Sequence, residues 1–233
     1  MKNQIIIFIS AASFILFSFT FQKNRTENTA AEGNSENSDT VKIINEKGFD
    51  NFVFKMRNKE LTPESLGKCE NNILQFTTGE AGYFRTKEVY SNYILHTEWR
   101  FPVGVEKGNS GILVCQQKPD SVWPECIQIQ LKQGKTGDLI AMNGAKFAEA
   151  VGKPKDTADK YSDEPERKSG EWSTAEITCK DDSIVVYING ILQNKATRTN
   201  FSSGFIGFQL EGKPVEFRNI YLFPVKKDGV YKM

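Results

Sequence analysis

Three stretches set groups that can carry protons, hold charge or bind hydroxyls at every second residue. Tyr93-Ile94-Leu95-His96-Thr97-Glu98-Trp99-Arg100 alternates imidazole, carboxylate and guanidinium with apolar or small neighbours. Cys126-Ile127-Gln128-Ile129-Gln130-Leu131 does the same with two amides. Gly207-Phe208-Gln209-Leu210-Glu211 and Val215-Glu216-Phe217-Arg218 repeat it near the C-terminal side, on either side of Gly212-Lys213-Pro214. A period of two belongs to a strand, so each stretch has one dry face and one polar face. Glu98, Glu211 or His96 could accept a proton, Arg100 and Arg218 could stabilise a developing anion, and Gln128, Gln130 and Gln209 could hold hydroxyl groups. His96 is the single histidine, and its side chain titrates near neutrality. A lone histidine on a strand is more often simply hydrogen-bonded, and each arginine answers equally to a structural pair with a glutamate on its own face. A divalent metal would need carboxylates plus this one imidazole, with Asp138 or Glu211 contributing. The spacing forms no ligand motif, so a metal requirement stays open.

The elements that must position these groups are short strands. Apolar–polar alternations recur at 52–56, 73–77, 93–101, 111–116, 127–131, 175–179, 184–188, 205–211 and 215–223, separated by turn signals. Beyond the N-terminal stretch no segment has a helical period, and many short strands at this spacing predict an antiparallel sandwich over about 41–223. Trp99, Ile127, Ile129, Phe208 and Leu210 fall on dry faces and are expected in the core. Asn189-Gly190 between apolar runs predicts a tight hairpin, because both residues tolerate positive φ. The charged stretch 152–170, with its two prolines, should be an exposed excursion. Asn109-Ser110-Gly111 opens a strand, with Gly111 suited to a close backbone approach. Gly137-Asp138 reads as a turn or as a contact at the rim of a site. Trp123 and Trp172 could stack on a ring, although core packing is the default for a sandwich tryptophan.

With 30 basic against 29 acidic residues the chain is nearly neutral and has no basic block, which gives nucleic-acid binding no support. Residues 1–21 pair Lys2 with an apolar run and predict an export signal or N-terminal anchor; the polar stretch 22–40 reads as a disordered linker, and 41–233 as one folded domain. The expected location is therefore periplasmic, or membrane-anchored on the outer side of the inner membrane through this segment alone. Cys69, Cys115, Cys126 and Cys179 form no CxxC pair, which speaks against structural zinc. Cys115 and Cys126 could face each other across a hairpin, but four small buried hydrophobes is the favoured reading.

Taken with Gly82-Tyr83-Phe84-Arg85-Thr86, Asn109-Ser110-Gly111-Ile112 and Trp123-Pro124-Glu125, the three stretches resemble the 3-keto-disaccharide hydrolase family, also described as 3-keto-glucoside 1,2-lyases and 3-keto-2-hydroxyglucal hydratases. The resemblance runs from about residue 48 to 224. It implies an all-β, concanavalin A-like jelly-roll sandwich and a small-molecule or oligosaccharide substrate. It also implies cleavage of 3-keto-glycosides by elimination and hydration, a noncatalytic carbohydrate-binding protein being the alternative. In that chemistry a ketone at C3 acidifies the C2 proton, a base removes it, and the group on C1 leaves. Glu98, Glu211 and His96 are then the candidate bases, Arg100 and Arg218 the enolate partners, and Asn109, Gln128, Gln130, Asp138 and Gln209 the substrate contacts. The family's strand reads Glu-x-Gln where this chain has Gln128-Ile129-Gln130. An amide cannot replace either carboxylate of a retaining glycosidase, which stand about 5 Å apart. Glu125 lies at an odd offset from Gln128 and should point to the opposite face. Eight side chains (His96, Glu98, Arg100, Gln128, Gln130, Gln209, Glu211 and Arg218) are expected to share one solvent-facing surface.

Overall fold

The computed structural model describes residues 40–77, 80–163 and 165–225. The predicted export segment and nearly all of the predicted linker lie outside the described residues. In chain order the strands are β1 (Val41–Lys42), β2 (Phe52–Met56), β3 (Gly67–Glu70), β4 (Ile73–Phe76), β5 (Gly82–Thr86) and β6 (Tyr90–Ser91). There follow β7 (Tyr93–Arg100), β8 (Ser110–Gln116), β9 (Cys126–Gln130), β10 (Leu139–Met142) and β11 (Thr157–Ala158). The last are β12 (Ser173–Lys180), β13 (Ser183–Ile188), β14 (Ile191–Ala196), β15 (Ser203–Leu210) and β16 (Val215–Pro224). A single-turn helix, Pro63–Leu66, starts at a Thr62–Ser65 capping box.

The strands build two antiparallel sheets. The first runs β14-β13-β12-β7-β16-β4-β3 with β1 added on β16; the second runs β11-β10-β9-β8-β15-β5-β2 with β6 on β15. Their inner faces meet in one core, which takes in Trp99, Ile127, Ile129, Phe208 and Leu210 as expected. Its centre is a set of interlocked phenyl rings. Phe84 lies 5.0 Å from both Phe76 and Phe208, and Phe208 lies 5.2 Å from Phe217, so rings from the two sheets interdigitate. Such pairs contribute beyond their buried area. The sandwich is therefore the predicted all-β jelly roll.

The two outer faces differ. Along β7 and β12 burial alternates strictly, the outward residues being half-exposed. In β5, β8 and most of β9 and β15 both sides are buried, because Tyr83, Leu113, Cys126 and Gln128 on the outward side are covered as well. The hairpin at Asn189-Gly190 forms with φ of 48° and 79°, as the dipeptide predicts. The excursion at 152–170 is not wholly exposed: Thr157–Ala158 pairs with β10 and buries Ala158 at the sheet edge. The four cysteines are free thiols, three of them buried, and Cys126 contacts Met142 rather than Cys115.

Candidate functional site

The eight side chains expected on one surface divide between the two sheets. Alternation identifies which side of a strand is polar, but not which sheet the strand joins. β7 and β16 pair in the first sheet, while β9 and β15 reach each other through β8 in the second. Residues 211–214 join β15 to β16 as an arch from one sheet to the other, not as a hairpin. His96, Glu98, Arg100 and Arg218 thus lie on the outer face of the first sheet, and Gln128, Gln130, Gln209 and Glu211 belong to the second.

On the first sheet the arginines are committed. Arg218 Nε donates to Glu98 Oε2 at 2.7 Å, its Nη2 makes an ion-pair contact of 2.6 Å with the same oxygen, and Asn219 Nδ2 donates to Glu98 Oε1 at 2.7 Å. Arg100 Nε donates to Glu216 at 2.6 Å. Both guanidinium groups also lie over Trp172, at 4.5 Å for Arg100 and 4.1 Å for Arg218, so this tryptophan packs on arginine. Burial disfavours the Glu98 carboxylate, but the Asn219 amide and the Arg218 guanidinium outweigh it and hold its pKa below the usual value. A carboxylate so tied is a poor base. His96 Nδ1 lies 2.7 Å from Glu176 Oε1, and this hydrogen bond raises the imidazole pKa against the opposing effect of burial. These contacts are the structural pairs that the sequence left as an equal reading.

The second sheet holds a cluster of another kind. Gln128 Nε2 donates to Gln209 Oε1 at 3.1 Å, and Gln209 Nε2 donates to Glu211 Oε2 at 2.8 Å. Asn109 Nδ2 donates to the same Glu211 oxygen at 3.0 Å. Gln128 and Gln209 are only 4% and 5% exposed, while Glu211 is half-buried. Each residue of Asn109-Ser110-Gly111 contributes. Asn109 holds the carboxylate, Ser110 Oγ donates to the Gln209 carbonyl at 2.6 Å, and Gly111 leaves the room that Gln128 crosses. A Cβ on Gly111 would stand 2.7 Å from Gln128 Nε2. Both amide bonds to Glu211 end on Oε2, and among the described residues no side chain donates to Oε1. The Asn109 Oδ1 is buried without a partner. No cation pairs with Glu211 among the described residues, in contrast with Glu98.

Gln130 and Asp138 are placed differently. Gln130 Oε1 accepts from the Leu131 and Lys132 amides, so it secures the turn after β9. Asp138 is buried, accepts from the Lys160 amide at 2.9 Å and faces Lys135 at 3.7 Å. Among the described residues no three His, Cys, Asp or Glu side chains converge as a metal site. Sequence reasoning passed over a second polar group on the same sheet. Arg85 makes a two-point contact with Asp120, at 2.8 and 2.6 Å, and Tyr83 donates to Asp120 at 3.2 Å. Tyr83 lies directly across from Gln209. The available signal was Arg85 itself, a charge in the middle of an otherwise apolar strand.

Solved structures share the fold. A "putative glycosyl hydrolase" from Parabacteroides distasonis matches at 19% identity and a TM-score of 0.60, over 80% of this chain and 99% of that one. A Bacillus subtilis protein with a galectin-like fold matches at 9% identity and a TM-score of 0.55, covering 79% and 94%. The carbohydrate-binding module CBM66 from Bacillus subtilis matches at 10% identity and a TM-score of 0.52, covering 73% and 93%. No curated protein matches the sequence. The family model for the 3-keto-alpha-glucoside-1,2-lyase-like domain matches residues 26–222, which carry both polar clusters, and the chain belongs to that family.

Proposed function

We propose that the protein is an exported enzyme that cleaves 3-keto-glycosides by elimination followed by hydration, with Glu211 as the base. The observation that carries this reading is the state of the Glu211 carboxylate. Neutral amides of Asn109 and Gln209 hold one oxygen, and the other has no donor among the described residues. One oxygen of Glu211 is thus held in place while the other is open to a substrate proton, whereas both oxygens of Glu98 are occupied. In the proposed step Glu211 Oε1 takes the proton from C2, the electron pair moves into the C3 carbonyl, and the enolate forms. The C1–oxygen bond then breaks, and the departing oxygen recovers a proton from the Glu211 carboxylic acid. Water adding across the new C1=C2 bond completes the net hydrolysis. Each amide of Asn109, Gln128 and Gln209 has a second N–H, and these are the donors available to sugar hydroxyls and to the enolate oxygen. Arg100 and Arg218 sit on the other sheet and take no part.

Incubation with a 3-keto-glucoside and with its unoxidised parent tests the proposal: turnover of the keto sugar alone is expected, and cleavage of the parent would refute it. One observation favours a second reading, a noncatalytic glycan-binding protein. Gln128, where the family has a carboxylate, completes an unbroken amide chain to Glu211. Binding of both sugars without turnover would select that reading, and Gln128→Glu would then be expected to confer activity.

A further inference from the structure

The outer face of the first sheet has a second half, away from the arginines. Tyr187 pairs with Glu176, Glu176 with His96, and His96 with Tyr221, so these four residues form one straight row across β13, β12, β7 and β16. Outward side chains on paired positions stand side by side, and three strand spacings separate the tyrosines by about 14 Å. The row lines a shallow depression of about 530 Å³ floored by Ile94 and Thr178 and bounded by Phe223. Tyr187 is 38% exposed, and the Glu176 side chain is 41% exposed. Glu176 uses only Oε1, on His96. Among the described residues its Oε2 and the hydroxyls of both tyrosines have no hydrogen-bond partner. The aromatic walls are therefore paired with three uncommitted polar atoms, in a depression wide enough for two rings side by side.

The charges around this row balance. With the imidazole neutral, Glu176 and Glu98 are matched by Arg218 and by Lys42, which pairs with Tyr221 from β1, and His96 Nε2 lies 3.9 Å from Glu98. A balanced row offers no net attraction to an ion, whereas flat apolar walls with acceptors between them suit a ring that is apolar on its face and hydroxylated on its edge. We propose that Tyr187, Glu176, His96 and Tyr221 form a noncatalytic binding site for a neutral di- or oligosaccharide. The sugar lies across the strands, its ring faces on the two tyrosines and its hydroxyls on Glu176 and His96. The site is independent of the chemistry at Glu211, since it lies on the opposite sheet.

His96 is the single histidine, so its imidazole gives one isolated set of NMR signals. The purified protein is titrated with cellobiose and with maltose, and separately with choline, to about ten times a millimolar dissociation constant. A saturable shift of the His96 signals with a disaccharide is expected, unchanged in Glu211→Gln. It should weaken about tenfold in Tyr187→Ala, an exposed position whose truncation leaves the core intact, and in Glu176→Gln. Absence of a saturable shift with either sugar, or a response to choline alone, would overturn the proposal. So would a response lost in Glu211→Gln, one unaltered in both Tyr187→Ala and Glu176→Gln, or one that follows protein concentration instead of sugar.

Discussion

Two glutamates with opposite surroundings give a discriminating experiment: Glu98→Gln and Glu211→Gln, measured for both stability and turnover. Glu98 receives one hydrogen bond each from Arg218 and Asn219 and a second ion-pair contact from Arg218, and the Glu98 and Arg218 side chains are 14% and 34% exposed. That lies between a surface ion pair, at about 0.2–1 kcal/mol, and loss of a buried partner, at about 3–5 kcal/mol. Glu98→Gln should therefore cost about 1–3 kcal/mol, or about 2–12 °C in Tm for a domain of this size. Its turnover of a 3-keto-glucoside should stay near wild type. Glu211 accepts two neutral amide bonds and has no ionic partner among the described residues, so Glu211→Gln should leave Tm nearly unchanged. Its turnover should fall about 100- to 10,000-fold, the usual loss when a positioned base is removed. This equals about 2.7–5.4 kcal/mol of barrier at 1.36 kcal/mol per decade. Scanning fluorimetry and single-turnover kinetics read the two quantities separately. If Glu98→Gln abolishes turnover in a folded protein while Glu211→Gln does not, the chemistry belongs to the first sheet and the assignment is wrong.

Gly111→Ala places a methyl 2.7 Å from Gln128 Nε2; it should displace Gln128 from Gln209 and weaken sugar binding about tenfold with little change in circular dichroism. Phe84→Ala, at the centre of the ring cluster, should destabilise by about 3–5 kcal/mol in a denaturant titration. The raised His96 pKa means that the folded state binds its proton more tightly than the unfolded chain. Its stabilising contribution is complete below about pH 6.5 and is lost as pH rises through the folded pKa. A His96→Gln variant should therefore narrow its stability deficit as pH rises across that range, and a deficit that grew would contradict the sign. A periplasm-dependent reporter fused after residue 40 should be active if 1–21 directs export, and silent otherwise.

Strand alternation made the sandwich legible, and it worked best where one side of a strand faces solvent, as in β7, β12 and β16. It failed where both sides are covered: Gly82-Tyr83-Phe84-Arg85-Thr86 and Leu139-Ile140-Ala141-Met142 show no alternation because their outward residues are buried or half-buried too. The candidate site was legible in composition and not in assembly. Of the eight side chains expected on one surface, Gln128, Gln209 and Glu211 do meet through hydrogen bonds, joined by Asn109. His96, Glu98, Arg100 and Arg218 were grouped with them because alternation assigns a side and never a sheet. Only the arch at 211–214 separates Glu211 from Arg218, and nothing local in Gly212-Lys213-Pro214 distinguishes an arch from a hairpin.

That arch also sets an order of events. β15 lies between β8 and β5, and β16 lies between β7 and β4. The strand that closes each sheet is thus supplied by one segment that follows all the others in the chain. Without it the second sheet is left as β11-β10-β9-β8 apart from β5-β2, and the first as β14-β13-β12-β7 apart from β4-β3. Hairpins can form as the polypeptide emerges, but the core phenylalanines Phe208 and Phe217 arrive last, and long-range pairings of this kind are slow to close. A nascent chain ending before residue 203 has no complete sheet to fold into. Both sheets therefore close in one step, when the 203–224 segment slots its two strands between β8 and β5 and between β7 and β4.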